Sequence, residues 1–171
     1  MKAMIINCLK EMFDAKYNPD IYAEVCKKVG LENKYYLNNQ NIEDEKVLSL
    51  FNALAKKMYI SISSLFDSFG EYFNCVFAQK YFKSYYRMYK NAKEFLKAID
   101  KIHVNVGSLY GGSTPPRFNI EEKDNKLILQ YKSNRNLIDL VISLIKGVAK
   151  FYNEKVRINK IDNRTVELYV T

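Results

Sequence analysis

The spacing of apolar side chains changes near Arg117, and that change limits the folds open to this chain. Before this point apolar residues recur at helical spacing. After it they alternate with a period of two, as in half-buried strands, except over 136–151, where helical spacing returns. The alternation predicts two hairpins with one helix between them. The expected elements are strands over 117–122 and 127–133, a helix over 136–151, and strands over 156–161 and 165–170.

The part of the chain before Arg117 is expected to be helical. Asn18 is the expected N-cap of the second helix, because Pro19 follows it in the first turn. Helices followed by an antiparallel sheet define an α+β fold, and 171 residues suffice for one domain with a sizeable core. The predicted helices cover 3–16, 19–29, 43–57, 60–83 with a break or bend at Gly70, and 88–108.

The charge balance is basic. Lys and Arg number 27 and Asp and Glu number 19, which gives a formal net charge of +8. The lysines are scattered along the helical segments, so the excess is expected to form a solvated surface. A basic nucleic-acid-binding module is the alternative, although the sequence holds no RNP-like strand motif and no basic recognition helix.

Other classes of protein are disfavoured by what the sequence lacks. Three widely spaced cysteines, Cys8, Cys26 and Cys75, argue against a disulfide framework and favour a reducing, cytoplasmic compartment. The first residues do not form a signal peptide, and no apolar run is long enough to span a membrane. Without a Gly-rich phosphate loop, a nucleophile elbow or paired carboxylates, no enzyme activity is expected.

His103 is the only histidine, and it lies on an apolar helical stripe. Leu96, Ile99, His103 and Val106 follow one another at steps of three, four and three, so they share a face. A histidine in such a place is ordinarily a core residue with one hydrogen bond. Neutral imidazole is also the usual axial ligand of haem iron, which needs an apolar slot. The spacing leaves both interpretations open.

Tyr131, Ser133 and Arg135 are spaced by two, which on a strand places them on one face over about 13 Å. All three side chains donate hydrogen bonds, and the guanidinium of Arg135 adds a positive charge with paired N–H donors. Such a row suits two neighbouring carboxylates, as in haem propionates, or is simply an exposed polar strand face.

A diproline precedes the first strand. Pro115 and Pro116 fix two successive φ angles, and Pro115 restricts Thr114 to extended conformations. The segment is therefore a stiff strut after the flexible pair Gly111-Gly112. It either presses on a flat cofactor or is a loop that ends at a strand.

Taken together, in this order and spacing, His103, Thr114-Pro115-Pro116-Arg117 and Tyr131-x-Ser133-x-Arg135 resemble the H-NOX family. These are the haem-nitric oxide/oxygen binding domains related to the sensor part of soluble guanylate cyclase. The resemblance covers essentially the whole chain. It implies a distal helical part over about 1–60 and a part over about 61–171 with the haem-binding helix and a four-stranded antiparallel sheet. Haem b would lie between the two parts and would be bound non-covalently.

The resemblance also implies a role for each motif. His103 would be the proximal ligand of the iron, Tyr131, Ser133 and Arg135 would bind the propionates, and Pro116 would distort the porphyrin. The protein would sense a diatomic gas and pass a conformational change to a partner. Relatives work with histidine kinases or cyclic-dinucleotide enzymes, or are fused to chemotaxis receptors. A haem carrier without signalling is a further alternative.

The expected gas preference follows from the distal positions. In oxygen-binding relatives a tyrosine on the helix after the Tyr-x-Ser-x-Arg strand donates to bound oxygen, and the corresponding residue here is Leu140. A position that is often tryptophan is Leu9. Nitric oxide and carbon monoxide need a donor far less, so we expect tight nitric oxide binding and weak oxygen binding. The expected apolar wall is Ile5, Leu9, Phe77, Leu140 and Leu144, while Tyr72, Asn74 and Cys75 are possible polar groups.

Overall fold

The protein is described from a computed structural model, which places residues 1–109 and 115–171. Contacts along the chain group it into two compact units, Met1–Phe69 and Gly70–Thr171. The division into functional parts near residue 60 stays a prediction.

The first unit is helical and follows the predicted pattern closely. The Asn18 side chain accepts a hydrogen bond from the backbone N–H of Asp20 at 2.8 Å, so the predicted N-cap is confirmed. Aromatic residues dominate its core, where Phe51 meets Phe69 edge to face at 5.1 Å. The helices are α1 Met4–Lys16, α2 Pro19–Lys28, α3 Asp44–Lys57 and the first part of α4 Ile62–Tyr72.

The helices of the second unit depart from the prediction in two places. The helix α4 continues through Gly70, and the irregularity is instead a π-helical segment at Phe73–Phe77. The single helix expected over 88–108 is wrong: the side chain of Asn91 caps a new helix by accepting from the N–H of Glu94 at 2.8 Å. The helices are α5 Ala78–Tyr81, α6 Lys83–Arg87, α7 Ala92–Lys97, α8 Ile99–Leu109 and α9 Ile138–Phe151.

The sheet is four-stranded and antiparallel throughout, with the order β1-β2-β4-β3. The fold class expected from the sequence is therefore confirmed. Phe118 pairs with Tyr131 across the first hairpin, and Leu127 pairs with Leu168 between the hairpins. The strands are β1 Arg117–Lys123, β2 Lys126–Lys132, β3 Val156–Lys160 and β4 Thr165–Val170.

The core of the second unit contains one face of the sheet and the apolar side of α9. Alternation along β2 and β4 buries Leu127, Leu129, Val166 and Leu168, as the period of two requires. The helix α9 contributes side chains at helical spacing: Ile138, Val141, Ile145 and Val148.

The helix α9 approaches the end of α4 closely enough that only glycine fits at two positions. A Cβ atom built on Gly147 would lie 2.1 Å from the backbone oxygen of Gly70, and one built on Gly70 would lie 2.2 Å from the backbone oxygen of Ser143. Any side chain at either position would collide with backbone, so both glycines are required by packing.

Candidate functional site

His103 lies on α8 with its ring against the sheet. The imidazole meets the ring of Phe118 at a centroid distance of 5.1 Å in an edge-on arrangement. Its Nδ1 atom is buried and has no hydrogen-bond partner among the residues that the structure describes. Because buried polar atoms are normally paired, this nitrogen is a candidate contact for a bound ligand.

The surroundings of His103 keep its imidazole neutral. Burial lowers the pKa of His103 below its ordinary value, while the backbone carbonyl of Pro116 and the carboxylate of Asp100 act in the opposite direction. Neutral imidazole is the form that coordinates a metal, since the ligating nitrogen must carry a free lone pair.

Asp100 ties the helix of His103 to the first strand. Its carboxylate accepts from both Nε and Nη2 of Arg117, each at 2.8 Å, and from the backbone N–H of Phe118 at 2.8 Å. These donors, Arg117 first, lower the pKa of Asp100 to about 2. The clamp fixes the first turn of α8 against the residue whose ring touches His103.

A second contact holds α8 one turn further along. A Cβ atom added to Gly107 would lie 3.0 Å from Cγ of Pro115, so the proline ring packs directly against the helix at the position four residues after His103. Pro116 follows and is half-buried. Gly111, Gly112 and Thr114, expected to form a hinge and the start of the strut, lie outside the described residues.

The structure brings Tyr131 close to His103 but places the rest of its triplet differently. Tyr131 is buried, and its ring lies 5.7 Å from that of Phe118, which in turn contacts His103. Strand β2 ends at Lys132, so the expectation that all three residues lie on one strand face is wrong. Ser133 and Arg135 are half-buried in the following turn, where the Arg135 N–H donates to Oγ of Ser133 at 3.3 Å.

The five residues expected to form an apolar wall come from three elements. Ile5 and Leu9 lie on α1 in the first unit, with Leu9 fully buried. Phe77 ends the π-helical segment and is buried, and Leu140 and Leu144 lie on α9. Their meeting around one gas molecule stays a prediction.

Asn74, one of the residues considered as a distal polar group, is committed to other partners. Its amide nitrogen donates to the backbone oxygens of Gly70 at 2.8 Å and Leu144 at 3.1 Å, and its side-chain oxygen accepts from the hydroxyl of Tyr86 at 2.6 Å. Both amide hydrogens are therefore used. Of the other two, Tyr72 is buried, and Sγ of Cys75 lies 4.0 Å from the backbone oxygen of Gly147.

Sequence reasoning missed Asp100 and Phe118. Asp100 is three residues before His103, but its partner Arg117 is seventeen residues away, and local periodicity does not pair them. Phe118 carried a weak signal, because it begins the alternation of β1 directly after the diproline. That position made it the first inward-facing residue of the strand.

We expect Asp100→Asn to lower the free energy of unfolding by about 1–2 kcal/mol at neutral pH, because the variant keeps one acceptor but loses the charge. The pKa of Asp100 is about 2 in the folded protein against an ordinary value of 3.8. The stabilisation is therefore present above pH 3.8 and is lost as the pH falls towards 2. Urea unfolding of parent and variant across this range measures it.

Glu122→Gln is the matched control for this clamp. Glu122 also pairs with two cations, Lys93 and Lys97, but all of its contacts are on the surface. Its loss should therefore change stability far less than the loss of Asp100. Equal effects of the two substitutions would show that the Asp100 clamp is an ordinary surface ion pair.

A family profile described as Haem-NO-binding matches residues 2–160 of this chain. The chain belongs to the haem-NO-binding, or H-NOX, family.

Solved structures of the same family share the fold. An H-NOX protein from S. oneidensis in the Fe(II) ligation state, a triple mutant, aligns with a TM-score of 0.90 at 19% identity, over 100% of this chain and 96% of that one. An Fe(II) unliganded mutant H-NOX protein from K. algicida aligns with a TM-score of 0.84 at 24% identity, over 100% of this chain and 96% of that one. An oxygen-binding H-NOX domain related to soluble guanylate cyclases, in its oxygen complex, aligns with a TM-score of 0.82 at 23% identity, over 100% of this chain and 95% of that one.

Proposed function

We propose that this chain binds haem b non-covalently and senses nitric oxide. His103 ligates the iron, Tyr131, Ser133 and Arg135 bind the propionates, and Pro116 presses on the porphyrin. Bound haem supplies an iron with a free coordination position for a diatomic gas. The family to which the chain belongs, described as Haem-NO-binding, supports the choice of cofactor and of gas.

The observation that carries this proposal is the buried Nδ1 of His103, which has no hydrogen-bond partner within residues 1–109 and 115–171. Leaving a buried polar atom unsatisfied costs about 1–3 kcal/mol, so proteins rarely keep one without a use. Here the imidazole is kept neutral, its Nδ1 is buried, and its helix is held on two sides, by Asp100 before His103 and by Pro115 packed on Gly107 after it. These properties fit an axial ligand, which needs a free lone pair and a fixed direction.

The remaining residues fit the propionate edge of a haem molecule. Tyr131 is one aromatic ring away from His103, as a residue contacting the edge of the same cofactor should be. Ser133 and Arg135 lie in the turn after β2, where the backbone N–H of Arg135 donates to Oγ of Ser133. A guanidinium fork there suits a carboxylate.

Nitric oxide is the favoured gas because the donors that oxygen needs are missing or occupied. Leu140 and Leu9 offer no hydrogen bond, and both amide hydrogens of Asn74 are directed at backbone oxygens. Bound oxygen carries partial negative charge and depends on a donor, whereas nitric oxide and carbon monoxide do so far less. Oxygen binding is therefore expected to be weak.

The chain acts as a sensor that passes a conformational change to a partner, such as a histidine kinase, a cyclic-dinucleotide enzyme or a chemotaxis receptor, and has no catalytic role of its own. None of the three cysteines is disulfide-bonded, which agrees with a reducing, cytoplasmic setting. Among the described residues, no helix is both long and apolar enough to cross a bilayer.

The test is a visible absorption titration of the purified, reduced protein with each gas. Nitric oxide should change the haem spectrum stoichiometrically, whereas oxygen should give no stable oxygen complex and only slow oxidation. The physical reason is that Leu9 and Leu140 carry no donor and the amide hydrogens of Asn74 are bonded elsewhere, so none of these three residues stabilises the charge on bound oxygen. A protein that stays colourless after addition of hemin would overturn the haem assignment itself.

Leu140→Tyr provides the control for gas preference. Tyrosine at this position would add the missing hydroxyl, and we expect oxygen affinity to rise by at least about tenfold, the worth of one modest hydrogen bond. Nitric oxide binding should change little. A stable oxygen complex in the unmodified protein would refute the assignment of oxygen as a weak ligand.

A further inference from the structure

The stretch between Glu71 and Glu94 contains no acidic residue but holds five cations, Lys80, Lys83, Arg87, Lys90 and Lys93. All of them except Lys93 are exposed. Lys83 and Arg87 lie four residues apart on α6, so they share one side of that helix. We call the exposed part of this surface, residues 80–90, the basic aromatic patch.

The patch is held firmly by aromatic residues on its inner side. Tyr86 is buried, its ring stacks on Phe95 at 4.6 Å and meets Phe151 at 4.7 Å, and its backbone oxygen accepts from the hydroxyl of Tyr152 at 2.7 Å. Its own hydroxyl is bonded to Asn74. The outer residues are therefore displayed on a fixed surface.

Some cations of the second unit are neutralised, as in the pairs Lys126–Glu167, Lys150–Glu71 and Lys160–Asp139. Lys83, Arg87 and Lys90 are exposed and form no ion pair within residues 1–109 and 115–171. Their positive field is left for something outside the unit.

Large apolar side chains are exposed among these cations. Met88, directly after α6, is 68% exposed, and Tyr81, two residues before α6, is 49% exposed. Aromatic and apolar side chains flanked by Lys and Arg are the composition of surfaces that rest in the interface of an anionic bilayer.

Lysine outnumbers arginine in the patch, which favours a lipid surface over a protein partner. Lysine is depleted in protein–protein interfaces, whereas at a membrane its stem lies along apolar groups while the ammonium reaches the headgroups. Single-stranded nucleic acid would need several exposed rings for base stacking, and among the described residues of the patch only Tyr81 is an aromatic ring classed as exposed.

We propose that the basic aromatic patch docks this protein reversibly on anionic phospholipid, with Lys83, Arg87 and Lys90 at the headgroups and Tyr81 and Met88 at the acyl boundary. The attraction is electrostatic and screened by salt. It needs no haem and no gas, so it holds or fails independently of the proposed sensing function.

The experiment measures co-sedimentation of the purified protein, in the haem state in which it is isolated, with two kinds of vesicle. Vesicles of phosphatidylcholine mixed with phosphatidylserine should bind it at low ionic strength, and vesicles of phosphatidylcholine alone should not. Each cation near an anionic surface contributes a factor of about five, so a Lys83→Gln, Arg87→Gln, Lys90→Gln triple variant should bind on the order of 100-fold more weakly.

The matched control removes the same charge elsewhere. Lys27→Gln, Lys56→Gln and Lys123→Gln change three exposed lysines outside the patch, so the net charge falls equally. This variant should lose no more than about threefold, the effect of reduced long-range attraction. Circular dichroism and the haem spectrum should be unchanged in both variants.

Three results would overturn the proposal. The first is no binding of the parent to phosphatidylserine vesicles at low salt. The second is an equal loss of vesicle binding in the patch and control variants, which would show that binding depends on net charge and not on the patch. The third is tighter binding to a single-stranded oligothymidylate than to vesicles, which would identify the patch as a nucleic-acid surface.

Discussion

His103→Ala is expected to abolish the imidazole-ligated haem spectrum of the reduced protein. The chain has a single histidine, so no other imidazole is present to take its place. Haem affinity should fall by at least about tenfold, since the loss of even an outer partner of a metal ligand has an effect of that size. Hemin titration followed by reduction and absorption spectroscopy measures both quantities.

Chemical rescue separates ligation from a merely structural role of this side chain. In His103→Gly, imidazole added to the solution should enter the vacated space and restore the axial spectrum, because the helix is held independently by the Asp100 clamp and by Pro115. Asn105→Ala, an exposed change on the same helix, should leave the spectrum of the parent unaltered. An unchanged reduced spectrum in His103→Ala would mean that another residue binds the iron.

Gly147→Ala is expected to lower the free energy of unfolding by about 2–4 kcal/mol. The new Cβ would lie 2.1 Å from the backbone oxygen of Gly70 and 2.6 Å from Nδ2 of Asn74, so helix and amide must both move. Overpacking of this kind costs up to about 3 kcal/mol or more, and the better helix propensity of alanine offsets about 1 kcal/mol. Urea unfolding monitored by circular dichroism provides the measurement.

Gly30→Ala is the control, because Gly30 has open space around it and only a φ of +70° to preserve. It should cost about 1–2 kcal/mol from backbone strain alone. If Gly147→Ala is as stable as the parent, the close approach of α9 to the end of α4 is wrong. If the Gly147→Ala variant is insoluble while the Gly30→Ala variant is soluble, the destabilisation is even larger than expected and supports the prediction.

Local signals in the sequence predicted most of the elements. The Asn18-Pro19 start of α2 and the alternation of the four strands were read correctly, because each depends on neighbours in the chain. The same kind of signal was present but missed at Asn91, where Glu94 three residues later forms a capping pattern that starts α7.

Contacts between distant segments were beyond this reasoning. The clamp from Asp100 to Arg117 and Phe118 and the contact of Gly147 with Gly70 join residues that no periodicity relates. A glycine inside a helical pattern, such as Gly147, does indicate a packing constraint, although its partner stays unknown without coordinates. Close packing of backbone on backbone is decided only in three dimensions.

The candidate site shows the same division. His103 was found because it is unique and lies on an apolar stripe, and the structure adds that its Nδ1 is buried without a hydrogen-bond partner in the described part of the chain. The expected strand row failed at Ser133 because Ser and Asn favour turns and Asn136 adopts a positive φ of 51°, so β2 stops at Lys132. The propionate roles of Ser133 and Arg135 stay predictions.

The most direct measurement is resonance Raman spectroscopy of the reduced, gas-free, haem-loaded protein with 15N-labelled histidine. Because His103 is the only histidine, the label reports on one side chain. The account predicts an iron–histidine stretching band that shifts with the label and disappears when nitric oxide is added. An iron–ligand band insensitive to the label, or no such band, would contradict His103 as the proximal ligand.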